Sequence, residues 1–219
     1  MNHATLNGKD WERIIRISGD LYTLTEYGKP VFGEKIISYM GKRARHWDPK
    51  RSKLAAAIMK GMDIMPLKPD SKVLYLGAST GTTVSYLSDI CINGRIFAVE
   101  ISFESFYKLL SLSEKRKNII PILEDANIPE RYSFFVEEPD LIYQDIAQRN
   151  QVQIFNANAD KFPEVKNAIL IIKTRSISSR LNEKDILSSA LSGLKDFSVV
   201  RRYNLSPYDQ ANYLVYLER

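Results

Sequence analysis

Val73-Leu74-Tyr75-Leu76-Gly77-Ala78-Ser79-Thr80-Gly81-Thr82-Thr83 decides the fold: four apolar residues, a loop punctuated by two glycines, and the opening of a helical segment. A run this short and wholly apolar predicts a strand buried on both faces. The glycines let backbone approach a ligand closely, and the N–H groups that open the next helix would face it. The spacing is Gly-x-x-x-Gly, which is neither the Gly-x-Gly-x-x-Gly of dinucleotide binders nor a P-loop with its Gly-Lys-Ser/Thr.

Four more short apolar runs come after it, at 95–101, 119–123, 140–144 and 168–172, separated by segments at helical spacing such as Phe103 to Arg116 and Gln148 to Ala159. Strand and helix alternating in this way predict a parallel sheet covered on both faces. The chain closes differently. A helix near Asn182 to Lys195 leads into strands at Phe197 to Leu205 and Tyr213 to Leu217, joined by a turn at Ser206-Pro207-Tyr208-Asp209. That link is too short for a parallel crossover, so the final strand is expected antiparallel to its partner.

Upstream, residues 12 to 47 read as short strands: Ile14 to Ile17, Leu21 to Leu24, a run around Val31-Phe32, and Lys35 to Met40. Alternation and glycine punctuation predict a small antiparallel sheet, too small to bury much alone and therefore packed on the rest of the chain. Asp48-Pro49 offers an N-cap and a first-turn proline for an Ala-rich helix over Lys50 to Met62. The expected organisation is a small β domain over 1–49 and an α/β domain over 50–219.

With 219 residues, 44% hydrophobic and 26% charged, the chain has the balance of a globular protein. Cys91 is the single cysteine, and on that ground neither a disulfide framework nor a four-ligand zinc site is expected. No apolar stretch reaches the 18 residues or so of a membrane helix, and Met1-Asn2-His3-Ala4-Thr5 lacks an export pattern. A cytoplasmic protein without membrane partners is expected. Neither an internal repeat nor a Gly/Arg-rich arm is present. The net charge of +5 is unevenly placed, because residues 1 to 60 carry 12 Lys+Arg against 6 Asp+Glu while the rest is nearly balanced.

Ligands of an open α/β sheet bind outside the carboxyl ends of its strands. There lie Gly77, Ala78, Thr82 and Thr83 after the first strand, Glu100 at the end of the second, Asp125 after the third, Asp145 ending the fourth and Lys173 ending the fifth. A carboxylate at Glu100 can accept both ribose hydroxyls of a nucleoside, and Asp125 could then take an adenine amino group. Asp145 and Lys173 end neighbouring strands, so a carboxylate and an ammonium fall a few ångströms apart. The same pattern would also arise from a structural ion pair. Lys42, Arg43, Arg45, Lys50, Arg51 and Lys53 form a basic cluster whose functional reading is phosphate contact and whose alternative is a solvated basic face. His46 reads as a packing residue beside Trp47 and Cys91 as a small core residue; His3 has no assignable role.

These segments together resemble the archaeal members of the fibrillarin family, RNA 2′-O-methyltransferases. The resemblance rests on Trp47-Asp48-Pro49-Lys50-Arg51-Ser52-Lys53-Leu54-Ala55-Ala56-Ala57-Ile58, Val73 to Ala78, Gly81-Thr82-Thr83-Val84-Ser85 and Glu114 to Leu123. Asp145-Ile146-Ala147-Gln148, Lys173-Thr174-Arg175-Ser176-Ile177 and Asn204-Leu205-Ser206-Pro207-Tyr208 extend it over nearly the whole chain. It implies a Rossmann-like methyltransferase core, a mostly parallel seven-stranded sheet with the last strand antiparallel, preceded by a small antiparallel β domain. It implies S-adenosylmethionine as cofactor, held around Gly77, Ala78, Thr82, Thr83, Glu100, Ile101, Asp125, Ala126, Asp145, Ile146, Ala147 and Gln148.

The resemblance further implies a catalytic set of Lys53, Asp145 and Lys173, while the basic cluster itself makes Lys42, Arg43, Arg45 and Arg51 the expected RNA contacts. A fourth catalytic position, usually His, falls on Asn212, which cannot act as a base. The implied partners are a box C/D guide RNA with its rRNA or tRNA target, a Nop-domain scaffold protein, and a kink-turn-binding protein of the L7Ae type. Two rival readings compete with this one: a structural ribonucleoprotein subunit with weak or lost transfer, motivated by Asn212, and a methyltransferase of proteins or small molecules, disfavoured by the basic region.

Overall fold

The computed structural model describes residues 11–178 and 180–219, so His3 and the rest of the N-terminal stretch lie outside the described residues. Four strands, β1 (Ile14–Ile17), β2 (Asp20–Thr25), β3 (Ile36–Tyr39) and β4 (Lys42–His46), form an antiparallel sheet of order β1-β2-β4-β3. Val31-Phe32 is not one of them. Their N–H groups donate to the two oxygens of Glu34, both at 2.7 Å, so this stretch wraps a carboxylate instead of pairing with a strand.

Helix α1 (Lys53–Met59) begins three residues later than the sequence predicts. Asp48 is the reason: its carboxylate accepts the Lys50 N–H at 2.8 Å and its carbonyl that of Arg51 at 3.1 Å, which closes a turn ahead of the helix. Leu54 to Ile58 are all buried, so the three central alanines serve close packing of a helix that is covered all round.

Seven further strands make the large sheet: β5 (Lys72–Leu76), β6 (Arg95–Glu100), β7 (Ile119–Leu123), β8 (Leu141–Gln144), β9 (Asn167–Lys173), β10 (Ser198–Asn204) and β11 (Asn212–Glu218). Their order is β10-β11-β9-β8-β5-β6-β7, with β5 to β9 mutually parallel and β11 antiparallel to both its neighbours. The expected mostly parallel α/β sheet with an antiparallel last strand is what the structure contains. Helices α2 (Thr82–Ile90), α3 (Phe103–Lys115), α4 (Gln151–Lys161), α5 (Thr174–Ile177) and α6 (Glu183–Ser192) supply the crossovers, except that β7 reaches β8 through the 3-10 turns Pro129–Arg131 and Ser133–Phe135. The single turn of α5 has no periodic signal in the sequence; it forms where the Thr174 N–H and hydroxyl both donate to Ala211 O.

Alternate strand residues feed two apolar layers, Tyr75, Tyr143 and Ile171 on one face and Leu74, Ile142 and Ile172 on the other. The first layer also receives Ile14, Leu21 and Trp47, so the small sheet shares the core of the large one. Trp47 is fully buried and stacks on Tyr86 of α2 at 5.1 Å between centroids.

A buried ionic cluster completes that junction, and it corrects one expectation. Arg45 is not a phosphate contact: it is fully buried, paired with Glu34 and with Asp89 Oδ2 at 2.9 Å, and its guanidinium lies over the Tyr86 ring. Asp89, on α2, also accepts from Arg116 at 2.8 Å and from the Thr23 and Thr25 hydroxyls at 3.0 and 2.6 Å. Burying a charge without a partner is prohibitive, and here every charge has one. Arg43 by contrast is exposed, with Nη1 donating to the Glu26 carbonyl at 2.9 Å. Arg45→Glu should therefore cost more than about 3–5 kcal/mol in urea unfolding, while Arg43→Glu stays within about 0.5 kcal/mol of wild type. Equal effects of the two would contradict this division.

Candidate active site

The strand order turns at β5, with β6 on one side and β8 on the other, and the carboxyl ends of these strands open into a cleft. Gly77 and Gly81 shape its floor in left-handed backbone conformations, φ +81° and +87°. A Cβ on Gly77 would lie 2.7 Å from Asp145 O, and one on Gly81 would lie 2.6 Å from Leu112 Cδ2, so the loop is as close to its neighbours as glycine permits. α2 starts at this loop without a side-chain cap, which leaves its first-turn N–H groups for whatever occupies the cleft.

The cleft has two parts that meet at Gly77, Ser79 and Asp145. The larger, about 340 Å³, is lined by Glu100, Ile101, Asp125, Ala126, Ile146, Ala147, Gln148 and Lys173. The smaller, about 200 Å³, is lined by Lys50, Arg51, Ser52 and Lys53 on one side, Ala78, Thr82 and Thr83 on the other, and Asp209. Glu100 is nearly buried and accepts the Ser79 and Ser102 N–H groups at 2.6 and 2.7 Å, which fixes its carboxylate at the loop. Asp125 Oδ1 takes both the N–H and the amide of Asn127 at 2.8 Å, leaving Oδ2 for a ligand.

Where the two parts meet, Asp145 stands between two ammonium groups. Lys53 Nζ donates to Oδ2 at 3.0 Å, and Lys173 Nζ lies 2.7 Å from Oδ1 and 3.2 Å from the Asp145 carbonyl. Burial opposes the charge on Asp145, but Lys53 and Lys173 outweigh it and hold the carboxyl below its ordinary value. Burial likewise opposes the charge on Lys53, and Asp145 and Asp209 outweigh it, so that ammonium is held above its ordinary value. Gln151 pins the end of β9 by accepting the Lys173 N–H at 3.0 Å and donating to its carbonyl at 3.4 Å.

All the residues expected to hold a cofactor face this one cleft, together with Lys53, Asp145 and Lys173. Asn212 lies beside them, opposite Lys173 in the β9–β11 register. Lys50 and Arg51 reach the rim; Lys42 and Arg43 do not line the cleft, and Arg45 is withdrawn into the core. Sequence reasoning missed Asp209, Ser79, Asn127 and Gln151. Asp125-Ala126-Asn127 carried a legible signal, since an Asp two residues before another polar residue commonly closes an Asx turn; Gln151 carried none.

The sequence model of the Fibrillarin family matches residues 16–219. The chain belongs to the fibrillarin family. A fibrillarin-like rRNA/tRNA 2′-O-methyltransferase of Picrophilus torridus is 58% identical over 95% of this chain and 98% of its own. Among solved structures, a fibrillarin in complex with Nop5p aligns with a TM-score of 0.87 at 44% identity, covering 94% of this chain and 97% of that one. The fibrillarin of Aeropyrum pernix, in complex with natively bound S-adenosyl-L-methionine, aligns with a TM-score of 0.81 at 34% identity, covering 93% and 92%.

In this fibrillarin fold the central ion pairs have a defined pH window. Stabilisation from Asp145 is present above the unfolded carboxylate value of about 3.9 and is lost as pH falls through its lowered folded value. That from Lys53 is present below about 10.4 and is lost as pH rises through its raised value. The stability difference between wild type and Lys53→Met should thus be the same at pH 5, 7 and 9 in urea unfolding, and shrink below pH 4. A change between pH 5 and 9 would put a titration inside the window and contradict the assignment.

Proposed function

We propose that this chain is the catalytic subunit of a box C/D ribonucleoprotein, transferring the methyl group of S-adenosylmethionine to a target ribose 2′-hydroxyl selected by guide RNA. The reading is supported by family membership, by relatives named for rRNA/tRNA 2′-O-methylation, and by one observation above all: a Lys53–Asp145–Lys173 cluster set against a cleft lined by Glu100 and Asp125.

The residues present fit the cofactor. Glu100 supplies acceptors for ribose hydroxyls, Asp125 an acceptor for the adenine amino group, and Ile101, Ala126, Ile146 and Ala147 apolar walls for the base, with Gln148 at its edge. Thr82, Thr83 and the uncapped start of α2 suit a carboxylate, for the reason that helix N-termini favour anions. The Gly77 turn and Ala78 leave room for backbone-close binding. Bound S-adenosylmethionine supplies a methyl group activated by its sulfonium.

The 2′-hydroxyl must lose its proton as the new C–O bond forms. Asp145 is a poor acceptor, being held ionised with an ammonium on each oxygen, and Lys53 is held charged. Lys173, paired with the other oxygen of Asp145, is placed to orient the attacking hydroxyl, whose proton passes to solvent as the C–O bond forms, and the ion pairs fix the lysine in place. Much of the rate comes from that positioning. Lys50 and Arg51 at the rim, with Lys42 and Arg43 farther along the basic segment, meet the RNA phosphates.

The target nucleotide is chosen by guide pairing rather than by this chain, within a particle that also holds a Nop-domain scaffold and a kink-turn-binding protein of the L7Ae type. A purely structural subunit is the competing reading, motivated by Asn212; the intact ion-pair cluster weighs against it. Lys173→Ala should lower single-turnover methylation in the assembled particle by more than about 10²-fold while calorimetry finds S-adenosylmethionine bound as in wild type. Glu100→Ala should do the reverse, losing cofactor affinity first. Transfer retained by Lys173→Ala would remove its role.

A further inference from the structure

Asn212 and Asp209 are joined by a contact that gives the Asn a purpose. Asn212 Nδ2 donates to Asp209 Oδ1 at 2.6 Å, and Asp209 Oδ2 lies 3.6 Å from Lys53 Nζ. One carboxylate therefore faces an amide with one oxygen and the Lys53 ammonium with the other. The turn that carries it is fixed by backbone: Asp209 N donates to Leu205 O and Leu205 N to Asn212 O, each at 3.1 Å. Ala211 O accepts both donors of Thr174, the residue after Lys173. Asp209 is thus held in register with both lysines of the site.

We propose that Asp209, clamped by the Asn212 amide, is a positioning residue for methyl transfer: it shares the Lys53 ammonium with Asp145 and leaves the other oxygen of Asp145 to Lys173. The inference rests on the methyltransferase reading of the site. Lysine is a point charge on a flexible stem, so an ammonium held by one carboxylate can swing, whereas one held from two sides cannot. A displacement of about 1 Å near reacting atoms is enough to cost on the order of 10²-fold.

The amide also explains why the clamp works without an imidazole. Asn donates a hydrogen bond in one charge state, while a His there gains a proton as pH falls, the more readily for the adjacent carboxylate, and sets a cation against Asp209, competing with Lys53 for it. The charged and titratable groups that line the same part of the cleft as Asp209 are Lys50, Arg51 and Lys53 around α1, Tyr75 on β5 and Asp145 after β8, while Lys173 lies opposite Asn212 in the β9–β11 register. Among the described residues none of these groups is an imidazole.

The test is single-turnover methylation by the particle reconstituted from the full chain, scaffold, kink-turn protein, guide and target. Asp209→Asn should transfer on the order of ten- to a hundredfold more slowly, with S-adenosylmethionine affinity and melting temperature as in wild type. The rate of Asn212→His relative to wild type should fall as pH is lowered from 8 to 5.5 and the imidazole gains its proton; taking the ratio cancels any pH dependence the two share. Wild-type rates from Asp209→Asn, or a ratio for Asn212→His that stays constant from pH 5.5 to 8, would overturn the proposal. Loss of cofactor affinity in Asp209→Asn would also overturn it, making Asp209 part of the cofactor site. A wild-type particle that transfers no methyl overturns instead the enzymatic reading on which it rests.

Discussion

Asp145 carries its charge in a nearly closed site, where desolvation alone would favour the neutral acid. It stays ionised because Lys53 and Lys173 approach its two oxygens to 3.0 and 2.7 Å. Those lysines come from an N-terminal helix and from the fifth strand of the parallel sheet, so a single carboxylate holds together parts of the chain that are 120 residues apart in number. Removing either lysine leaves a half-paired charge, and removing the acid leaves two cations facing each other.

Much of the surrounding structure serves to place that carboxylate. Gly77 allows the loop after β5 to pass so close to the Asp145 carbonyl that no side chain would fit between them. Gln151 fixes the backbone of Lys173, and the Thr174–Ala211 bonds tie the following turn to the last hairpin. The buried cluster of Arg45, Asp89, Arg116 and Glu34 does similar work at a distance: it anchors the small sheet to α2, the helix whose first turn opens into the cleft. The ion pairs of the core and those of the cleft are thus separate systems joined by one helix.

The parallel strands were legible because each is a short apolar run bounded by turn residues, and the acids at their ends followed from strand order alone. Lys53 was not legible from spacing, since it reads as one more lysine on an amphipathic helix; only the wider resemblance singled it out. Arg45 was misread for a definite reason. Composition counts it with its exposed neighbours Lys42 and Arg43, but its partner Asp89 lies 44 residues away and nothing local announces that pairing. Asp209 was passed over because a turn has no periodicity to mark which of its side chains point inward. The helix start at Lys53 rather than Lys50 reflects a competition the sequence states in both directions, since Asp48 can cap a helix or close a turn.

A cleft lined by Glu100 and Asp125, an ionised acid held between two lysines, and a basic rim are the features on which the proposed guide-directed methyl transfer to RNA rests. The most direct measurement is to reconstitute the particle with methyl-labelled S-adenosylmethionine and, in turn, two guides of different sequence, and to locate the label in the target by mass spectrometry. The expected result is label on the ribose 2′-oxygen of the nucleotide that each guide selects, moving when the guide is exchanged. Label on a base or on protein, or at one position whichever guide is present, would contradict it.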